Sequence, residues 1–203
     1  EIVDSEFTEL FLTLRMAKHG LTPPVYLAVP VSFDDGDDAN FGFCYFTESG
    51  WKELGKTLTD TSDEAELSSI GKAIVDCLKK TSEQTILLAD IKTLNMVAKK
   101  SGDAFDVRMI DFDGMFTVDL NIFPELPPTS AKCVFFANSL LLLTFAHKFV
   151  TEEESVFAFT DLATEVVATW RAMEVLGTLS AFCGLLELDD QYADALPKRD
   201  NGK

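Results

Sequence analysis

Thr85 to Gly114 reads TILLADIKTLNMVAKKSGDAFDVRMIDFDG, and its reading decides the fold. Three short apolar runs, at Ile86–Leu88, Met96–Val97 and Val107–Ile110, are separated by polar residues and a glycine, which predicts strand, loop, strand, turn, strand, loop. The layout delivers Asp90, Lys92, Asn95 and Asp111 to the ends of short strands. Two carboxylates, one amide and one ammonium are thus expected near one another.

These residue types suit work on phosphates. Magnesium prefers hard oxygen ligands, so the Asp111 carboxylate and the Asn95 side-chain carbonyl are the candidate metal ligands, with phosphate and water completing the octahedron. Asp90 is the candidate proton acceptor for a substrate hydroxyl. Lys92 would place a compact positive charge on a transferring phosphoryl group. The bland alternative makes Asp90 and Asn95 ordinary turn residues and Lys92 a solvated charge.

The pattern resembles the protein kinase superfamily. The catalytic-loop motif H-R-D-x-K-x-x-N is matched by Asp90, Lys92 and Asn95, with Leu88 and Ala89 in its first two positions, and the D-F-G motif by Asp111 and Phe112, with Asp113 in place of the glycine. Phe112, Asp113 and Gly114 offer a second register for that motif, but the apolar strand runs directly into Asp111. The resemblance implies an α+β, protein-kinase-like fold with a mostly helical large lobe and an incomplete small lobe. It implies ATP and Mg2+ as cofactors, Asp90 and Lys92 as catalytic, Asn95 and Asp111 as metal- and nucleotide-binding, and Ser/Thr of a protein as acceptor. An inactive kinase-like binding module with a protein partner is the other reading. With Ala89 at the Arg position, ordering of the activation segment by phosphorylation is not expected.

By the same resemblance residues 1–46 form a partial small lobe, 47–58 the hinge and a short helix, 59–196 the large lobe, and 197–203 a flexible tail. Phe7, Leu10, Phe11 and Leu14 have helical spacing, and Gly20, Pro23 and Pro24 end that helix before VYLAVPV. This resembles the regulatory helix and fourth strand, with Glu9, or else Glu6, as the acid that pairs with a nucleotide-binding lysine; a solvated carboxylate is the competing reading of both. DDGDD at 34–38 suits a hairpin loop before FGFCYF. Tyr45, Phe46 and Thr47 would line the base pocket beside the hinge TESG, followed by WKELGKTL as a short helix. Thr61 with Glu64 makes a capping box for a helix carrying Leu67, Ile70, Ile74, Cys77 and Leu78 on one face.

Pro124, Glu125, Pro127 and Pro128 mark the end of a short activation segment. CVFFANSLLLLTFA, residues 133–146, is too short to span a bilayer and contains Asn138, so it is expected as a buried core helix. The family's aspartate near the start of that helix is absent, with Cys133 nearest its place, which implies weaker anchoring of the catalytic loop. Thr151 with Glu154 predicts another cap, and Leu162, Val166, Val167, Trp170, Met173 and Leu176 an apolar stripe. Leu179, Phe182, Leu185 and Leu186 suggest a last helix.

No glycine-rich strand pair or lysine strand precedes the first helix. The resemblance implies that these lie upstream of Glu1, or that the domain dispenses with them. A net charge of −17, from 34 acidic and 17 basic residues, disfavours nucleic acid and anionic membrane as partners. Four cysteines without C-x-x-C spacing point to reduced thiols in an intracellular setting, cytoplasmic or nuclear, although secretion stays open.

Overall fold

The computed structural model describes residues 5–34, 39–88, 90–112, 117–119, 131–149 and 157–175. The chain is α+β, with long helices packed against small antiparallel sheets. Helix α1 (Ser5–Lys18) ends in a glycine cap: Gly20 adopts φ +68°, its N–H donates to Ala17 O at 3.0 Å, and Leu21 N–H donates to Met16 O at 2.9 Å. That pairing satisfies the last carbonyls and needs a left-handed residue that glycine supplies without a Cβ penalty. The buried face of α1 is Leu12, Thr13 and Met16, whereas Phe11 and Leu14 point outward. The expected stripe is therefore rotated. Apolar residues surround this helix, so spacing alone does not select the face that meets the core.

Strands β1 (Val25–Asp34) and β2 (Ala39–Thr47) form an antiparallel hairpin whose register runs from Val25↔Thr47 to Asp34↔Ala39. Strand β3 (Lys52–Glu53) pairs with Val97 and Ala98, so the segment expected as one short helix begins as strand and becomes helix α2 (Leu54–Thr59). Helix α3 (Glu64–Glu83) is capped by Asp63, whose carboxylate accepts from Glu66 N–H at 2.9 Å. The Thr61 hydroxyl instead donates to Thr57 O at 2.7 Å, closing α2, and this removes it from the predicted capping box. Leu67, Ile70, Ile74, Cys77 and Leu78 are all buried along α3, as their spacing predicts.

Strand β4 (Ile86–Leu88) follows α3 and pairs with β7 (Thr117–Asp119). Strands β5 (Met96–Ser101) and β6 (Ala104–Met109) form a hairpin turned at Gly102, φ +62°; Lys99 and Lys100 lie in β5 rather than in the turn. Helix α4 (Ala131–Phe149) is the expected core helix, burying Cys133, Val134, Phe135, Phe136, Asn138 and Leu142. Helix α5 (Thr160–Val175), entered through a 3-10 turn at Phe157–Phe159, buries Leu162 and Val166. Val167 and Trp170 are exposed, a departure from the expected stripe, although the Trp170 ring lies 5.4 Å from that of Phe136.

One apolar core unites α1, α2, α3, β4, β5, β6, α4 and α5. Among the described residues no helix is long and apolar enough to cross a membrane. The expectations for the 35–38 loop, for Asp113 and Gly114, for Pro124 to Pro128, for the Thr151 cap, for Leu176 and the helix after it, and for the tail lie outside the described residues.

Candidate functional site

The loop between β4 and β5 is short and internally bonded. Lys92 Nζ lies 2.6 Å from Asp90 Oδ2. Asn95, at the end of a 3-10 turn covering Thr93–Asn95, donates from Nδ2 to the Asp90 backbone carbonyl at 3.1 Å and to Asp90 Oδ2 at 3.2 Å. Asn95 is buried while the Asp90 carboxylate is part-exposed. Its amide nitrogen is thus committed to Asp90. The carbonyl oxygen is the end of that amide suited to a hard cation.

Asp111 joins the same neighbourhood through the backbone. Met96 and Met109 are register partners, and Ile110 N–H donates to Asn95 O at 2.9 Å. Asn95 therefore grips Asp90 with its side chain and the residue before Asp111 with its main chain. Asp111 is exposed and adopts φ +60°, a left-handed conformation that costs an L-residue about 1–2 kcal/mol and that aspartate tolerates better than most. Phe112, next in the chain, is fully buried and holds the strand end against the core.

A hard cation takes oxygen ligands, and the Asp111 carboxylate and the Asn95 amide oxygen are donors of that kind. Among the described residues no three His, Cys, Asp or Glu side chains gather. One carboxylate and one amide oxygen would leave most of an octahedron to phosphate and water.

The remaining predicted residues occupy a different part of the molecule. Glu9 on α1 lies close enough to Tyr45 on β2 that burial first, and then the Glu9 charge, push the Tyr45 phenol up to about 12. Phe46 is exposed, and Thr47 pairs with Val25 at the end of the hairpin. Among the described residues no hydrogen bond or ion pair joins Tyr45, Phe46 or Thr47 to the Asp90 group.

Two arrangements escape the sequence reading. Glu48 accepts from Trp51 Nε1 at 3.0 Å and pairs with Lys99 at 3.0 Å, and the Lys99 bond first, with the Trp51 bond second, holds its carboxyl below the usual range. The Trp51 ring carries Arg108 at 4.7 Å and Lys99 at 5.7 Å from its centre. Arg108 also donates to Thr22 O at 3.1 Å, and Met109 N–H to Leu21 O at 2.8 Å, so this cluster ties the β1–β2 unit to the hairpin that ends at Asp111.

The second arrangement concerns Asn138, which the sequence marks only as a polar residue in an apolar helix. Its Oδ1 accepts from Leu88 N–H at 2.9 Å and its Nδ2 donates to Ile86 O at 2.9 Å. The tie between α4 and the strand ahead of Asp90 is made here, five residues beyond Cys133, where the resemblance would place an aspartate. Lys99 and Arg108 lie far along the chain from Glu48 and Trp51, as Ile86 and Leu88 do from Asn138, so local spacing carries no signal for these contacts. Comparison with models of known protein families and with curated proteins returned no match to this chain.

Proposed function

We propose that this chain is the catalytic part of an ATP- and magnesium-dependent phosphotransferase of protein-kinase type, with a protein Ser/Thr hydroxyl as acceptor. The observation that carries the reading is the grip of Asn95 on both sides of the site: its amide on Asp90, its carbonyl on Ile110 beside Asp111. Asp90 then stands where a hydroxyl proton can be accepted, oriented by Lys92 and Asn95. The Lys92 ammonium, already within hydrogen-bond distance of that carboxylate, is available to stabilise charge on an arriving phosphoryl group. Asn95 Oδ1 and the Asp111 carboxylate would hold magnesium, which would supply positive charge to offset that of the phosphate groups.

The α+β architecture, the helix leading into β4 and the β5–β6 hairpin returning to Asp111 agree with the layout that a kinase-like large lobe requires. Leu88 and Ala89, in place of the usual His and Arg, favour the second reading, a module that binds nucleotide without transferring phosphate.

Phosphate transfer from ATP, measured beside the thermal shift with ATP and Mg2+, separates the readings. The enzyme reading expects a shift in the wild type that Asp111→Asn reduces, and transfer that Asp90→Ala abolishes. A shift without transfer selects the binding module. No shift and no transfer overturns the enzyme and any nucleotide-binding form of the module, and leaves only a module that binds protein.

A further inference from the structure

Asn138 is completely buried on α4 and sits 50 residues from the strand that it contacts. Strand β4 is only three residues long. The Asn138 carboxamide spans the peptide groups of Ile86 and Leu88, accepting from one N–H and donating to one C=O, each at 2.9 Å. A neighbouring strand's peptide group would present the same donor and acceptor. The side chain therefore does for β4 what a further strand would do, and it fixes the last residue of β4 two positions ahead of Asp90.

We propose that Asn138 is a positioning residue for Asp90 and that the position demands a carboxamide rather than a carboxylate. The path has three bonded steps. Asn138 holds Ile86 and Leu88, the chain leads directly into Asp90, and Asp90 is then clasped by Lys92 and Asn95. An aspartate in place of Asn138 keeps the bond from Leu88 N–H but turns its second oxygen toward Ile86 O, placing two acceptors face to face. Both partners of Asn138 are uncharged backbone groups, so a carboxylate there is a buried anion without a cation. Such a group is costly enough that it shifts its own ionisation upward instead. A protonated aspartic acid, by contrast, reproduces the donor and acceptor of the amide.

The structural half of this inference stands on the hydrogen bonds alone, and its catalytic half rests on the phosphotransferase reading. Asn138→Asp in the full chain tests both. In 15N–1H spectra at alkaline pH, the Leu88 amide and the Asn95 side-chain amide of the variant are expected away from their wild-type positions. They return toward those positions as acidification protonates the introduced carboxylate, while the wild-type signals do not follow that course. In phosphate transfer the variant loses about tenfold or more in kcat, with KM for ATP changed less than about threefold, because placement rather than nucleotide binding is damaged.

Unchanged Leu88 and Asn95 signals at a pH where the introduced carboxylate has ionised overturn the proposal, and where it stays protonated throughout, Asn138→Thr decides in the same way. Displaced signals that ignore pH overturn the demand for a carboxamide, since they reflect packing alone. Where Asn138→Asp does not fold at alkaline pH, Asn138→Thr, uncharged and too short to span both groups, takes its place: displaced Asn95 signals support the positioning role and unchanged ones overturn it. A wild type that transfers no phosphate sinks the function proposed above, and the spectra still decide the role of Asn138.

Discussion

The loop that carries Asp90 and the hairpin β1–β2 are built on opposite principles. Around Asp90 each neighbour is determined more than once: β4 by its pairing with β7 and by Asn138, Asn95 by four hydrogen bonds, and the strand end at Asp111 by the Ile110 N–H bond to Asn95 O and the buried Phe112. The β1–β2 hairpin is long but thinly covered, with Tyr26 71%, Leu27 55% and Phe46 55% exposed. Its links to the rest pass through α1, the backbone bonds at Leu21 and Thr22, and the Glu48–Trp51 cluster. Among the described residues, hydrogen bonds made by side chains, and buried side chains, are denser around Asp90 than along the hairpin. An isolated two-stranded hairpin is marginal in water, so the second region depends on what packs against it.

Truncating one leucine in each region should break the comparison most openly. Leu78→Ala, at a fully buried position of α3, is expected to cost about 2–5 kcal/mol in urea unfolding. Leu27→Ala on β1 should stay within about 0.5 kcal/mol. Equal losses would show that the hairpin is as deeply integrated as the helix.

A smaller effect is expected at Gly71, where α3 meets the 3-10 turn before α5. A Cβ there would lie 2.6 Å from Ala158 O, a backbone atom with little room to retreat. Helix propensity favours alanine over glycine by about 1 kcal/mol, yet overpacking costs about 1–3 kcal/mol. Gly71→Ala should therefore be net destabilising in denaturant titration. A gain in stability would mean that the turn yields freely.

pH dependence offers a further comparison, with a separate titrating group in each region. Burial pushes the Cys77 thiol in the core from 9.0 up to about 12, and burial aided by Glu9 pushes Tyr45 in the hairpin unit from 10.0 up to about 12. Both groups bind protons more tightly when folded. Their stabilisation is fully present below the unfolded values and is lost as pH rises from about 9 toward 12. Stability measured over that interval should fall less steeply in Cys77→Ala and in Tyr45→Phe, each removing its own share. At the acid end Glu48, held low chiefly by Lys99, contributes stability that disappears as pH falls through its depressed value.

Much of this is legible in the sequence, for reasons that differ by element. The strand–loop–strand reading of 85–112 succeeds because its apolar runs are short, separated and bounded by turn residues. The Asp90–Lys92–Asn95 contacts succeed because all three residues share one loop, so that sequence proximity and spatial proximity coincide. The buried face of α3 also follows from spacing, since its opposite face is polar. Helix α1 fails the same test because Phe7, Leu10, Phe11, Leu12, Leu14 and Met16 leave no clean polar side. The contacts of Asn138 with Ile86 and Leu88, and of Glu48 and Trp51 with Lys99 and Arg108, are invisible for another reason: the partners lie far along the chain, and no periodicity encodes them.

The central claim is that Asn95 and Asp111 flank one divalent ion carried by nucleotide. Mn2+ replaces Mg2+ at oxygen sites and broadens nearby nuclear resonances, so Mn2+–ATP titrated into 15N-labelled protein tests it directly. The account predicts that the Asn95 side-chain amide and the Asp111 backbone amide bleach first, while Leu27 and Phe105 keep their intensity. Uniform bleaching, or bleaching that spares Asn95 and Asp111, would contradict it.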